Sequence, residues 1–370
     1  LSKFYSGIEM YDLAIEYAKK YLDIALKYYK SFGVIYLRDV CFAYFRCGET
    51  YYSMNDIDCA KESFNKCLSY VEKLHKSNPK KYSGDCGHFY LKVGDYYFDS
   101  DHNLSEEFEL KAICLFEESH KYGQTNNDRD LAEAYLNCAI INSSKNNVDV
   151  FRKYLIKCIE LLENILNGDI EYSVFNLHQA YCLLGRSYAE THDENISLNY
   201  LDKAQDLANR ACNANINKFN ELLIDTYQSF AYFYKIKNEY SKSIEYYEKG
   251  ISLFGNLVKD NPDLHVEGLF DYYDSFFEFL CSINEFKYAE ECIVKQEEML
   301  QQYREIILSS ASLEDLENNW YKDRAFVCKS AFKYFLTINY DVNKFKFYFK
   351  KLIELIENKS NLNESIKNSD

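Results

Sequence analysis

The chain has 370 residues, 47% of them hydrophobic, with two prolines and twelve glycines; this pattern argues for an all-helical protein and against a disordered one. A net charge of −15 argues against a broad basic surface for nucleic acid and against docking on anionic membranes. No run of 18 apolar residues and no signal-peptide pattern is visible, so no membrane-spanning helix is predicted.

The first predicted helix runs from about Ile8 to Tyr29, with Ala14, Ala18 and Tyr21 on its repeating positions. The next stretch, Ala43 to Leu68, sets a pattern. Tyr44 is followed at +3, +4 and +7 by Cys47, Gly48 and Tyr51, then at +16, +20 and +23 by Ala60, Phe64 and Cys67. Forty-six residues on, Tyr90, Val93, Gly94 and Tyr97 repeat the first half. Its second half is expected after a short insertion, at Ala112, Phe116 and Ser119. A worn copy comes next, with Tyr135, Cys138, Ala139 and Asn142, then Phe151, Leu155 and Cys158.

The fourth copy is clean: Tyr181, Leu184, Gly185, Tyr188, Ser197, Leu201 and Ala204. The fifth has Tyr227, Phe230, Ala231, Tyr234, Ser243, Tyr247 and Gly250; the sixth has Tyr273, Phe276, Phe277, Leu280, Ala289, Ile293 and Gln296. A drifted last copy is expected at Lys329, Phe332, Lys333, Leu336, Phe345, Phe349 and Leu352.

The +3, +4 and +7 positions share one face of a first helix. The small residue at +4 lets a second helix approach, and the small residue at +16 is its expected counterpart. Polar turns such as "SMNDID", "THDEN", "KIKNEY" and "SINEF" separate the helices, and their Asn and Asp are expected to cap the second helix of each pair.

This unit resembles the tetratricopeptide repeat family, over almost the whole chain. The period of 46 exceeds the family's usual 34, which implies longer helices of roughly 30 Å. The customary proline closing each repeat is missing. The resemblance implies an all-α, right-handed superhelical solenoid of antiparallel helix pairs. It places the second helix of a truncated first repeat at 1–31, six hairpins at 32–308, a drifted helical pair at 309–359 and a disordered tail at 360–370. The partner of the first helix falls before Leu1, so a segment of a larger protein is expected.

In the family, groove residues lie two before the first aromatic and at +1, +5, +8 and +9. Carried onto six copies, nine of thirty such positions are acidic, where about five would fall by chance. They are Glu49, Asp95, Asp99, Glu133, Glu190, Asp225, Asp271, Asp274 and Glu278, with Arg186 and Lys235 as the basic members. Tyr52, Phe98 and Tyr232 add aromatic surface. The resemblance thus implies an acidic groove that attracts basic segments; a solvated face of an acidic protein is the other reading. Phe45 and Leu91 stand beside Glu49 and Asp95, so the family's carboxylate clamp for chaperone tails is lacking.

Thirteen cysteines, odd in number and without Cys-x-x-Cys, read as buried apolar thiols in a reducing, cytoplasmic setting. Asp85, Cys86 and His88, with Asp99, Asp101 and His102, lack a metal-ligand spacing. No phosphate-binding Gly loop, GxSxG or HExxH occurs. Glu117 and Glu118 are adjacent and so face different sides of a helix. His178 and Gln179 open a first helix, as ligand contacts or as packing; His192 reads as a turn residue.

No enzyme, metal or cofactor is expected. The function implied is a protein- or peptide-binding scaffold or sensor. The alternative is a peptide receptor of the Rap and PlcR type, tightened by its ligand. No helix-turn-helix unit is visible, and no nucleic-acid contact is expected through this segment.

Overall fold

A computed structural model describes residues 2–7, 10–165, 170–214 and 219–303. The expected last copy and the tail lie outside the described residues. The chain divides into two compact units, Leu1–Leu207 and Ala208–Asp370. Among the described residues every regular element is helical.

The first unit begins with α1 (Ser2–Gly7) and α2 (Tyr11–Phe32), then a 3₁₀ turn at Gly33–Tyr36. It continues with α3 (Leu37–Ser53), α4 (Ile57–Ser77), α5 (Pro79–Tyr97), α6 (His102–Lys121), α7 (Asp128–Ser144), α8 (Val148–Ile165), α9 (Ile170–Glu190) and most of α10 (Glu194–Ala214). The second unit holds α11 (Asn220–Ile236), α12 (Tyr240–Asp260), α13 (Pro262–Ser282) and α14 (Phe286–Gln302). Consecutive helices pack as antiparallel pairs, α3 on α4, α5 on α6, α7 on α8 and α11 on α12. First helices also touch laterally, α5 on α7 and α7 on α9. Each unit is a stack of helical hairpins.

Local chemistry explains where the helices stop. Asn55, Asn146, His192, Asn238 and Asn284 all have φ between 55° and 62°. They stand at +11 in their copies, in the left-handed conformation that asparagine tolerates best after glycine. The turn asparagines therefore reverse the chain rather than cap. Capping falls to Asp56, whose Oδ1 accepts from Cys59 N at 3.1 Å, and to Asp101, which accepts from Leu104 N at 3.0 Å. Both prolines, Pro79 and Pro262, sit in the first turn of a helix, where the missing N–H costs nothing.

The close approach of paired helices is visible at Gly48 and Gly185. A Cβ on Gly48 would lie 2.4 Å from Phe64 Cε1, and one on Gly185 would lie 2.7 Å from Leu201 Cδ2. The residue facing the +4 glycine is thus the large one at +20, not the small one at +16. The +16 serine has another task. Ser197 Oγ donates to Gly185 O at 2.7 Å, and Ser243 Oγ donates to Ala231 O at 2.8 Å. A small hydroxyl lets the helix backbones meet and fills a carbonyl lone pair at the contact.

That pair of contacts corrects the second copy. Ser105 Oγ donates to Gly94 O at 3.1 Å, and a Cβ on Gly94 would meet Glu109 at 3.0 Å. Its second half is therefore Ser105, Glu109 and Ala112, not Ala112, Phe116 and Ser119. There is no insertion. The turn is one residue shorter and lacks the left-handed residue, Asp101 having φ −150°.

Candidate functional site

The first helices of the first unit carry a ladder of polar contacts along their lateral seams. Arg38 of α3 reaches Asp85 of α5 at 2.7 Å. Tyr96 Oη of α5 donates to Glu49 of α3 at 3.0 Å, and Arg46 also binds Glu49. From α5 to α7, His88 meets Asp130 at 2.9 Å, Lys92 meets Glu133 at 2.8 Å, and Asn137 Nδ2 donates to Asp95 at 3.2 Å. Lys92 also holds Asp95 at 2.8 Å. Burial alone would lower the Lys92 ammonium, but Asp95 and Glu133 outweigh it and hold it above the usual lysine range.

Three expected groove acids, Glu49, Asp95 and Glu133, are thus engaged inside the stack. Tyr52 is exposed and stands edge-on to Tyr96, with ring centroids 4.9 Å apart. Phe98 is half-buried against His102, and Asp99 and Glu190 are exposed. Arg186 is half-buried, its Nε without a hydrogen-bond partner among the described residues. Phe45 and Leu91 are core residues.

In the second unit, Asp225, Asp271 and Glu278 are exposed on α11 and α13. Partial burial raises the Asp271 carboxyl. Among the described residues neither Asp271 nor Glu278 forms an ion pair. Asp274 accepts from the buried Gln296, Tyr232 is half-buried, and Lys235 lies 5.9 Å from the Phe279 ring centroid. The second unit thus presents exposed acids on its first helices, two of them on α13 outside the ion pairs of the packing.

The other candidates resolve into packing. Cys86 is buried, and burial pushes its thiol up to about 12; Cys47 is pushed to about 11. Such thiols stay protonated and inert. Among the described residues no group of three His, Cys, Asp or Glu could hold a metal ion. His178 is buried beside Cys182 at 3.6 Å. Glu118 takes His75 and Ser83 on one side, while Glu117 takes Tyr135 on another. Among the described residues no helix is long and apolar enough to cross a membrane.

Residues 43–70 and 224–256 match the family model of the tetratricopeptide repeat. They cover the α3–α4 and α11–α12 hairpins. The chain carries tetratricopeptide repeats. No curated protein matches it. Among solved structures, BtubC (BKLC) from P. vanneervenii is similar at 16% identity, covering 67% of this chain and 92% of that one, with a TM-score of 0.49. The apo form of RapI is similar at 13% identity, covering 77% and 99%, with a TM-score of 0.46. Nro1, described as a nuclear import adaptor, is similar at 14% identity, covering 91% and 99%, with a TM-score of 0.36. At these scores nothing about function is carried over from them.

The tetratricopeptide repeat positions expose one residue that the sequence pattern hides. Glu109 stands 19 residues after Tyr90, which the shorter turn makes equivalent to +20, where the others have Phe64, Leu155, Leu201, Tyr247 and Ile293. It is fully buried. Asn137 Nδ2 donates to its Oε1 at 2.9 Å, and its Oε2 has no partner among the described residues. Burial pushes its carboxyl up to about 9, against the pull of Asn137 and with further push from Asp95 and Glu133. Glu109 is therefore neutral at pH 7.

Proposed function

We propose that this chain is a non-catalytic binding module that recognises a basic protein or peptide segment through the acidic face of its first helices. The observation that carries the reading is the pair of exposed acids on α13, Asp271 and Glu278, outside the ion pairs of the packing among the described residues; Asp225 is exposed on α11. Glu49, Asp95 and Glu133 in the first unit already have basic or amide partners, so they offer less to a ligand. The second unit is therefore the stronger candidate, with Lys235 held against Phe279 at its side. The chain's net charge of −15 supports a cationic partner and raises its rate of encounter. Buried, protonated thiols fit a reducing, cytoplasmic setting.

The test is charge reversal of all three acids to lysine, read by fluorescence anisotropy with an oligolysine peptide. Exposed charge pairs contribute about 0.2–1 kcal/mol each. Reversing three of them is expected to weaken binding about tenfold or more at low salt. It should also flatten the salt dependence. Unchanged affinity in the triple variant would place the binding surface elsewhere.

A further inference from the structure

Three residues recur in the first unit and fasten the seams between consecutive second helices. At the seam of α6 and α8, Tyr135 Oη donates to Glu117 Oε1 at 2.7 Å. Lys157 Nζ reaches that carboxylate oxygen at 3.3 Å and Tyr135 Oη at 3.1 Å, and stands 4.7 Å from the tyrosine ring centroid. Forty-six residues on, at the seam of α8 and α10, the arrangement repeats. Tyr181 Oη donates to Glu163 at 2.5 Å, Lys203 reaches Glu163 at 2.9 Å, and its ammonium lies 5.4 Å from the Tyr181 ring centroid. In each, an ammonium sits between a carboxylate and a tyrosine, and the hydrogen bonds hold the carboxyl below its usual range: that from Tyr135 leads at Glu117, while at Glu163 those from Tyr181 and Lys203 outweigh burial.

The seam of α4 and α6 has the same three residue types, Glu72, Tyr90 and Lys111. Here the fastening is open. Lys111 stays over the Tyr90 ring, 5.6 Å from its centroid, but binds Glu107 on its own helix at 2.7 Å instead of Glu72. Glu107 is the local cause, because the corresponding positions hold Lys153 and Asn199, neither of which can draw a lysine away. Among the described residues neither Glu72 nor Tyr90 Oη has a hydrogen-bond partner. A cavity of about 490 Å³ lies at this seam, lined by all three residues. Its apolar wall includes Val71, Cys86 and Leu115, with Leu110 and Cys114 exposed beside them.

We propose that this cavity binds a small hydrophobic primary amine, whose ammonium bonds Glu72 and the Tyr90 hydroxyl as Lys157 bonds Glu117 and the Tyr135 hydroxyl at the next seam. The volume suits a small molecule. The lining has two carboxylates, Glu72 and Glu107, against Lys111 and a His75 that Glu118 already holds, so it complements a cation and repels an anion. The Tyr90 ring already carries Lys111, so its hydroxyl is the group left for the ligand's ammonium, and the apolar wall takes the body of the ligand.

The test uses the whole chain and the probe 4-phenylbutylamine, with 4-phenylbutanol and 4-phenylbutyrate as uncharged and anionic counterparts. The readout is the rate at which iodoacetamide alkylates Cys114, the exposed thiol at the cavity, measured by peptide mass spectrometry. The amine is expected to protect Cys114 at a concentration about tenfold below that required of the alcohol, a difference of about 1.4 kcal/mol. The carboxylate should protect least. Glu72→Gln should reduce the amine to the level of the alcohol, and Leu110→Trp should abolish protection by filling the cavity. Both positions are exposed, so both variants should fold. Equal protection by amine and alcohol, undiminished protection in Glu72→Gln, or no protection at all would overturn the proposal.

Discussion

Replacing Glu109 with leucine is expected to stabilise the chain by about 2–4 kcal/mol at pH 7. The folded state holds this carboxyl neutral with a pKa of about 9, against 4.5 for the unfolded chain. A group whose folded pKa is raised contributes most below its unfolded pKa, and that contribution is lost as pH rises through the folded value. The wild-type chain should therefore lose stability steadily between about pH 5 and pH 9. Oε2 adds to the cost, because a buried acceptor without a partner forfeits its solvation.

Leucine removes both penalties and is already the residue at the corresponding positions, Leu155 and Leu201, both fully buried. Asn137 loses one acceptor but keeps Asp95 at 3.2 Å, so the loss on that side is the smaller effect. Thermal denaturation at pH 5, 7 and 9 checks this. Glu109→Leu should melt several degrees higher at pH 7, and both it and Glu109→Gln should show a flatter pH profile. A lower melting temperature for Glu109→Leu would mean that the carboxylate is ionised and held by Lys92.

The second large effect is expected from Gly48→Leu. A Cβ there would meet Phe64 at 2.4 and 2.5 Å. The Phe64 ring is buried and packed against Phe45 and Tyr96, with centroids 5.8 and 4.8 Å away, so it has little room to retreat. Overpacking of this kind costs about 1–3 kcal/mol or more, which exceeds the ~1 kcal/mol that leaving glycine gains in helix propensity. Gly185→Leu meets the more flexible end of Leu201, although Ser197 O stands 3.3 Å away; its cost should be smaller. In a stacked repeat the damage should stay local. Hydrogen exchange should quicken in α3 and α4 while α8 and α9 keep their protection. Uniform loss across all helices, or none, would contradict this packing.

The residues that were legible in the sequence are those under steric compulsion. Gly48 and Gly185 recur at one position because helices touch there. Asn55, Asn238 and Asn284 recur because one residue per turn must be left-handed, although their role reads as capping until the backbone is seen. The second copy misleads for a physical reason. Ala112 lies seven residues after Ser105, on the same face of α6, so a pattern of i, i+4 and i+7 fits at either place. The false fit also hides Glu109, since a carboxylate is the last residue to expect at a core position.

The acidic face was legible only as a count. Charge enrichment says nothing about which acids are already held. Arg46 and Lys92 reach Glu49 and Asp95 three residues along their own helices, but Tyr96 meets Glu49, Asn137 meets Asp95 and Lys92 meets Glu133 only through lateral stacking of first helices. The fastenings between second helices had a visible signal. Lys66, Lys157, Lys203, Lys249 and Lys295 stand 22 residues after their tyrosines and Lys111 stands 21 after its own, a spacing that apolar patterns pass over because the lysines lie outside the core.

Panning a library of random peptides against the whole chain tests the proposed recognition most directly. Enriched peptides should carry net positive charge with interspersed apolar residues, and their binding should weaken as salt rises. Enrichment of acidic peptides, or of none, would contradict a binding module built on the acidic first helices of its repeats.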